Sequence, residues 1–281
     1  MVMPGVLTKT KRPLLMGIVN VTGDSFSEGS LSSPGTAVER ALRLLEEGAD
    51  LLDIGAESTR PGAAEVSAST EIERLDRVLD ALWEKAPGTI VSIDTRHAET
   101  ARKMIEKRAA FINDVSMLRF DPEMAEVLKS SPETGVILCH SRGTPETMNE
   151  GVYRDYGKDT VQCICDELAA SVEKVGLSRD RVIFDPGFGF AKSFEQQLDM
   201  LRHAGRFVSL LGNVLFGISR KSFIGELTGE KDPALRSGGT LAAELHLAGC
   251  GAQIIRTHNV KILKDALAVA GALKDEGRSA D

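Results

Sequence analysis

The feature that most constrains the fold of this chain is a set of eight short apolar runs. Each run is followed by a polar or glycine-rich turn and then by a segment of helical periodicity. The runs are rich in Val, Ile and Leu, as in parallel strands that are buried on both faces. They cover residues 14–19, 51–54, 90–93, 110–112, 136–139, 181–184, 214–218 and 252–255. Eight repeated βα units predict an α/β fold, the closed (β/α)8 barrel. An open doubly wound sheet is the alternative, although such sheets usually have fewer strands.

Helical periodicity occupies most gaps between these runs. The predicted helices cover residues 36–47, 69–85, 98–107, 159–175, 194–207 and 241–248, and Gly48 and Gly176 stand where two of them should end. The sequence contains no linker and no low-complexity tract. We therefore predict a single domain over 1–281, with loosely ordered ends at 1–12 and about 275–281.

Composition and charge exclude several classes of protein. No apolar run approaches the ~20 residues of a membrane-spanning helix, and residues 14–19 are too short for a signal sequence. We therefore expect a cytoplasmic protein with no membrane partner. The net charge of −7 argues against nucleic-acid binding. Four scattered cysteines suit reduced, buried thiols better than a disulfide framework or a zinc site.

Polar clusters follow nearly every predicted strand, and barrel enzymes build their active sites at these carboxyl-terminal strand ends. One such residue alone is more often a turn former or helix cap, but eight clusters exceed what capping explains. The cations among them are Arg60, Arg220, Lys221, Arg256 and His258. Unless they are simply solvated loop charges, the planar fork of Arg and the point charge of Lys suit a substrate with more than one anionic group.

Two acids and one amide follow the apolar runs more closely than the cations do, so they should lie deeper in the barrel. Asp94, Asn113 and Asp185 need hydrogen-bond donors there, which a flat heterocycle with an amide N–H and an exocyclic amine would supply. Structural ion pairs with Lys221 or Arg256 are the alternative. A transition-metal centre built from these three residues is less compatible with the sequence, because no cluster of His and carboxylate residues has the spacing of such a site. Asn20 offers one oxygen to a Mg²⁺ ion that substrate phosphate and water would mainly hold.

Two further segments resemble anion-binding sites, but only the first is predicted to be one. Ser219-Arg-Lys-Ser222 is predicted to open a helix, whose N–H groups and dipole favour a carboxylate or phosphate. The segment from Gly187 to Ser193 only imitates a phosphate-binding P-loop, because Ala191 stands where that motif requires glycine.

Eight motifs in chain order resemble the signatures of the dihydropteroate synthase family. They are MGIVNVTGDSFSEG, DIGAESTRPGA, SIDT, INDV, RGTPETM, DPGFGFAK, SRKSFIG and RTHNVK, and the match runs from about Leu14 to Asp265. Pterin-binding methyltransferases that use methyltetrahydrofolate share the DIG and IND type strand ends, and they are the alternative enzyme. A non-catalytic pterin-binding relative is the alternative outside enzymes.

The resemblance implies a reaction and its participants. A dihydropterin pyrophosphate would condense with p-aminobenzoate to give dihydropteroate and pyrophosphate, with Mg²⁺ as cofactor and a homodimer as the assembly. Asp94, Asn113, Asp185 and Lys221 would hold the pterin ring. Asn20, Arg256 and His258 would bind the pyrophosphate, with Asn20 also a ligand of Mg²⁺.

The p-aminobenzoate pocket is implied by further residues. Ser222 would take the carboxylate and Phe190 would face the ring. Two loops would complete the pocket, and they carry Asp24, Phe26, Thr59, Arg60 and Pro61. Ser219 and Arg220 are also predicted to bind substrate. We assign catalysis to Asp94, Asp185, Lys221, Arg256 and His258.

This sequence departs from the family pattern at four positions. Gly23 stands where proline is usual, Asn259 stands where aspartate commonly follows the histidine, and Cys139 and Ser141 flank His140 in place of methionines. Gly23 should loosen the first loop, because it restores backbone freedom that proline removes. These changes bear on how p-aminobenzoate mimics such as sulfonamides bind, and the sequence decides neither sensitivity nor resistance.

Overall fold

The protein is described by a computed structural model over residues 12–21, 34–57, 66–144, 147–148 and 150–274. Within these ranges eight parallel strands pair in the order β6-β5-β4-β3-β2-β1-β8-β7. They are β1 (Leu14–Asn20), β2 (Leu51–Gly55), β3 (Val91–Asp94), β4 (Phe111–Asp114), β5 (Gly135–Cys139), β6 (Val182–Asp185), β7 (Leu215–Phe216) and β8 (Ile254–Thr257). A bridge between Phe184 and Val214 joins the two edges of this sheet. The sheet is therefore closed, which confirms the predicted barrel.

Ten α-helices surround the strands in the described part of the chain. They are α1 (Pro34–Glu47), α2 (Ala68–Lys85), α3 (Ala98–Glu106), α4 (Met124–Ser130), α5 (Thr160–Val175), α6 (Phe194–Arg202), α7 (Ala204–Leu211), α8 (Ser222–Thr228), α9 (Ser237–Gly249) and α10 (Val260–Lys274). Short 3-10 helices lie at Gly151–Arg154, Arg179–Arg181 and Pro233–Leu235. Among these helices, none is long and apolar enough to cross a membrane.

Two predicted elements differ from the structure by more than a shift of their ends. The helix predicted over 194–207 is wrong as one element, because His203 has φ −107° and ψ 23° and separates α6 from α7. The strand predicted over 214–218 pairs as a strand only at Leu215–Phe216. The left-handed Gly176 ends α5 as predicted, with φ 70°.

The interior of the barrel changes character along its axis. Side chains near the amino-terminal ends of the strands form an apolar cluster, which includes Leu51, Phe111, Ile183 and Ile254. Residues two positions later in a strand point to the same face. The inward positions that follow are Asp53, Asn113, Asp185 and Arg256. An apolar plug therefore fills the lower half of the barrel and places polar side chains at the carboxyl-terminal mouth.

Candidate active site

Asp94 and Asn113 lie side by side at the ends of neighbouring strands. The register pairs Gly55 with Asp94 and Asp94 with Asn113. Gly55 leaves room for its neighbour, because a Cβ there would lie 3.2 Å from the Cβ of Asp94. Burial and the nearby charge of Asp53 raise the pKa of Asp94 to about 7, although Arg256 opposes the shift. Asp94 is thus a carboxyl group that titrates near neutral pH.

Asp53 belongs to this group, although the sequence analysis did not select it. Its side chain is 2% exposed, and Oδ2 accepts hydrogen bonds from Asn113 Nδ2 at 3.0 Å and Arg256 Nη1 at 2.6 Å. The signal in the sequence was a single carboxylate inside the apolar run LLDIG, since a buried charge is costly unless it is paired.

Arg256 crosses the barrel from β8 and connects the acids. Its Nη1 lies 2.6 Å from Asp53 Oδ2 and 3.4 Å from Asp94 Oδ2. Burial lowers the pKa of Arg256, but the surrounding carboxylates Asp53, Asp94 and Asp185 outweigh this effect, so the pKa is raised overall. A Cβ at Gly217 would lie 3.3 Å from Arg256 Nε and 3.6 Å from Asp185 Oδ2, so this glycine keeps the space between them open. Of the ion pairs considered from the sequence, the pair of Asp94 with Arg256 therefore forms, and Asp53 adds a second pair that was not considered.

Asp185 and Lys221 frame the other side of the mouth. Asp185 Oδ1 accepts a hydrogen bond of 2.8 Å from the backbone N–H of Gly187. Lys221 Nζ donates to the carbonyl of Phe188 and lies 4.8 Å from the centre of the Phe190 ring. Burial lowers the pKa of Lys221, against the charge of Asp185. Lys221 and Phe190 therefore meet at one edge of the site.

The rim carries the remaining cations. Ser219 Oγ accepts from the backbone N–H of His258 at 3.2 Å and lies 3.0 Å from His258 Nδ1, so Ser219 holds the histidine. Arg220 Nη2 donates to Asn259 Oδ1 at 3.1 Å. Arg40, which carried no signal in the sequence, donates from α1 to the carbonyl of His258 at 2.5 Å.

Ser222 is exposed at the first position of α8, a helix of seven residues. Asn20 ends β1 with an exposed side chain and pairs in register with Gly55. The predicted residues Asp24, Phe26, Thr59, Arg60 and Pro61 lie outside the described residues.

Several buried atoms at the mouth have no hydrogen-bond partner within the described part of the chain. They include Asp53 Oδ1, Asn113 Oδ1 and Arg256 Nε. Buried polar groups in native proteins nearly always find partners. Two acceptors and one donor of this kind, together with Asp94, form a site that a polar, flat ligand with several N–H groups and at least one acceptor would complete.

The chain is similar in sequence and in fold to proteins of one known family. Residues 16–258 match a family model described as pterin binding enzyme. A dihydropteroate synthase from Neisseria meningitidis serogroup C is 40% identical over 269 residues, which are 93% of each chain. A Xanthomonas albilineans dihydropteroate synthase solved with 4-aminobenzoic acid is 39% identical, with a TM-score of 0.83 and 94% of both chains covered.

The same Xanthomonas albilineans enzyme in complex with 7,8-dihydropteroate has a TM-score of 0.81 at 37% identity, covering 94% of this chain and 95% of that one. Likeness in sequence and in fold thus extends over nearly the whole chain and over every described strand end. The chain belongs to the pterin-binding enzyme family and, within it, to the dihydropteroate synthases.

Proposed function

We propose that the mouth of the barrel is where this dihydropteroate synthase condenses a dihydropterin pyrophosphate with p-aminobenzoate. The observation that carries this proposal is the set of unpartnered buried atoms on Asp53, Asn113 and Arg256 beside a carboxyl group of raised pKa. A pterin ring carries the amide N–H and exocyclic amine that carboxylate and amide oxygens accept. Solved members of the family with 4-aminobenzoic acid and with 7,8-dihydropteroate support the assignment.

The chain's own side chains would mainly stabilise charge. As the C–O bond to the leaving pyrophosphate breaks, its electron pair leaves with the oxygen, and positive charge develops on the pterin methylene and ring. Asp94 and Asp185 would stabilise that positive charge, while Arg256 and His258 would stabilise the leaving group. The arylamine nitrogen then forms the C–N bond and releases its proton. Because an arylamine is neutral at pH 7, no strong base is needed.

The p-aminobenzoate side of the site would be formed by Phe190 and Ser222, and Lys221, which would hold the pterin ring, lies next to both. Phe190 presents an aromatic face next to the Lys221 ammonium group, and the exposed hydroxyl of Ser222 follows directly in the chain. An aromatic face beside a cation and a hydroxyl suits a flat ring with a carboxylate substituent.

We propose that Mg²⁺ would bind here as an ion shared with the substrate. The described residues contain no group of three or more His, Cys, Asp or Glu side chains placed to hold a metal. Magnesium often keeps several waters and binds through substrate phosphates with few protein ligands. Asn20 would supply one amide oxygen, and the bound ion would neutralise part of the pyrophosphate charge.

Release of pyrophosphate tests the proposal directly. Purified protein with 6-hydroxymethyl-7,8-dihydropterin pyrophosphate and Mg²⁺ should release pyrophosphate faster when p-aminobenzoate is added, and dihydropteroate should form. No release, together with no affinity for pyrophosphate, would favour the methyltransferase alternative. A sulfonamide added in a parallel reaction measures how well a p-aminobenzoate mimic competes.

Arg256→Gln tests the role of the central cation. We expect kcat/KM to fall by about 10²–10³, as when one charge-stabilising donor is lost. Arg12→Gln is the matched control, because Arg12 pairs with Asp50 at the opposite end of β2. An Arg256→Gln rate equal to that of the control would contradict the assignment. The homodimer and the cytoplasmic location stay predictions, and light scattering of the purified protein tests the former.

A further inference from the structure

The loop that connects β6 to α6 follows a strained backbone path. Gly187, Gly189 and Ala191 have φ values of 71°, 83° and 52°, so alternate residues are left-handed. Ala191 adopts a left-handed conformation that disfavours every residue with a Cβ, a penalty that glycine would avoid. Such conformations persist only where surrounding contacts fix them. Contacts with neighbouring side chains must therefore hold this loop in place.

Lys192 makes the contacts that hold the loop. Its side chain is 3% exposed, and Nζ donates to the carbonyl of Phe190 at 2.9 Å. The same Nζ lies 3.0 Å from His140 Nδ1 and 3.5 Å from the carbonyl of His140. Three acceptors satisfy the three N–H groups of an ammonium ion. Lys192 therefore points into the protein, unlike the lysine of a P-loop.

His140 relays this contact to a carboxylate. Its Nε2 lies 3.0 Å from Glu167 Oε2. Burial raises the pKa of Glu167, but hydrogen bonds from His140 and Arg142 lower it well below its usual value, so Glu167 is an acceptor only. His140 Nε2 must then carry the proton and Nδ1 must accept from Lys192. The three side chains form a chain of bonds from the loop, through the end of β5, to α5.

The relay keeps its direction over the working pH range. Burial and the charge of Lys192 lower the pKa of His140 to about 3, so the imidazole stays neutral. Burial lowers the pKa of Lys192 to about 7. A neutral amine still has two N–H groups, enough for Phe190 and His140 Nδ1. Both protonation states of Lys192 can therefore hold the loop.

The loop also packs directly on His140. A Cβ on Gly187 would lie 1.9 Å from the carbonyl oxygen of His140. On the opposite side, Lys221 donates to Phe188 and lies beside the Phe190 ring. The position of Phe190 relative to Lys221 thus depends on two lysines, one at the site and one behind it.

We propose that Lys192 and His140 are positioning residues for p-aminobenzoate: they fix the loop at 186–193 to the end of β5 and so hold Phe190 against Lys221. This inference rests on the proposed function, in which Phe190 contacts that substrate and Lys221 holds the neighbouring pterin ring. Neither Lys192 nor His140 touches the substrates in this scheme. Their loss should therefore weaken p-aminobenzoate binding more than pterin binding.

Three variants of the full chain test the proposal. Lys192→Met removes the donor. His140→Gln places an amide N–H toward Glu167 and loses the acceptor for Lys192, whereas His140→Asn keeps an oxygen near the position of Nδ1 and loses the bond to Glu167. Lys129→Met, on an exposed lysine of α4, is the control for Lys192→Met. The measurements are KM for each substrate, kcat, and hydrogen exchange of a peptide that covers 186–193.

We expect Lys192→Met and His140→Gln to raise KM for p-aminobenzoate about tenfold, the loss of one buried hydrogen bond. KM for the pterin substrate should stay within about twofold on the same reasoning. His140→Asn and Lys129→Met should resemble the wild type. Exchange within 186–193 should rise in the first two variants only.

Equal rises in both KM values, or equal effects of His140→Asn and His140→Gln, would overturn the proposal, and so would unchanged exchange in Lys192→Met. Hydrogen exchange needs no turnover. A wild type without activity would therefore refute the proposed function, while the exchange pattern would still decide whether Lys192 and His140 fix the loop. If Lys192→Met does not fold, the two His140 variants, which keep Lys192, give the decisive comparison.

Discussion

Asp53→Asn should move the acidic limb of the pH–rate profile to lower pH. Asp53 and Asp94 share Arg256 Nη1, and the negative charge of Asp53 helps to raise the pKa of Asp94 to about 7. In the proposed function, ionised Asp94 stabilises positive charge on the pterin. Removing the charge of Asp53 makes Asp94 easier to ionise and leaves Arg256 with fewer competing partners. Both effects lower the pKa of Asp94.

The size of the shift follows from the geometry. The carboxylate oxygens that share Arg256 Nη1 lie 2.6 Å and 3.4 Å from it, so the two oxygens are at most about 6 Å apart. At that separation and an effective dielectric constant of about 20, Coulomb's law gives about 3 kcal/mol, or about two pKa units. Solvent reaches Asp94, whose side chain is 21% exposed. We therefore expect a shift of about one unit after screening.

The assay is kcat/KM for dihydropterin pyrophosphate between pH 5 and 9, at saturating p-aminobenzoate. Ionisation of the substrates is common to all variants, so it cancels in the comparison. Asp50→Asn is the matched control, because Asp50 lies beside β2 at its other end and pairs with Arg12. An acidic limb that stays in place in Asp53→Asn, or that moves to higher pH, would refute the coupling between the two carboxylates.

Two stability predictions follow from other buried groups. Burial raises the pKa of Glu244 to about 8, from an ordinary value of 4.5. The protonated group therefore makes its full contribution to the free energy of unfolding below pH 4.5, and this contribution is lost as the pH rises from 4.5 through 8. Relative to wild type, Glu244→Gln should gain on the order of 3 kcal/mol in free energy of unfolding between pH 5 and 8, measured by urea denaturation; a constant difference would contradict the burial argument. Gly187→Ala should lose at least about 4 kcal/mol because its Cβ would overlap the carbonyl of His140. Gly157→Ala, with φ 63° and open space around the new methyl group, should lose only about 1–2 kcal/mol in thermal unfolding, and equal losses would show that backbone strain alone matters.

The strand ends were predictable from the sequence because each apolar run stops there and a polar cluster begins. Each apolar run ends where its inward side chains change to Asp94, Asn113, Asp185 or Arg256, and closure of eight parallel strands brings these ends together. Asp53 was missed because it lies within a run, where a carboxylate interrupts the apolar pattern. Its role depends on Arg256, which is distant in sequence and adjacent only in the closed barrel.

The contacts behind the site were less predictable for a related reason. Lys192 follows a glycine-rich turn, and lysines are rarely buried, so only the fold shows that its ammonium group turns inward to His140. Arg40 lies on a helix whose pattern marks one apolar face and gives no sign that the side chain reaches His258. The break at His203 likewise has no proline to signal it, and the nearby Gly205 lies inside α7. Local patterns locate strand ends, whereas long-range pairing decides which polar side chains support them.

The depth of the charges favours one orientation of the bound pterin substrate. Asp53 lies two residues below the end of β2 and Asp94 at the end of β3, and they outnumber the single cation Arg256 between them, so the floor of the site is acidic on balance. Arg220 and His258 lie in the segments after β7 and β8, so the rim on that side is basic. A pyrophosphate group at the floor would face carboxylates in a low-dielectric environment, whereas the ring supplies the N–H donors that those carboxylates need. The ring should therefore enter first and leave the pyrophosphate at the rim, where p-aminobenzoate approaches along Phe190 and the released product can leave without crossing the acidic floor.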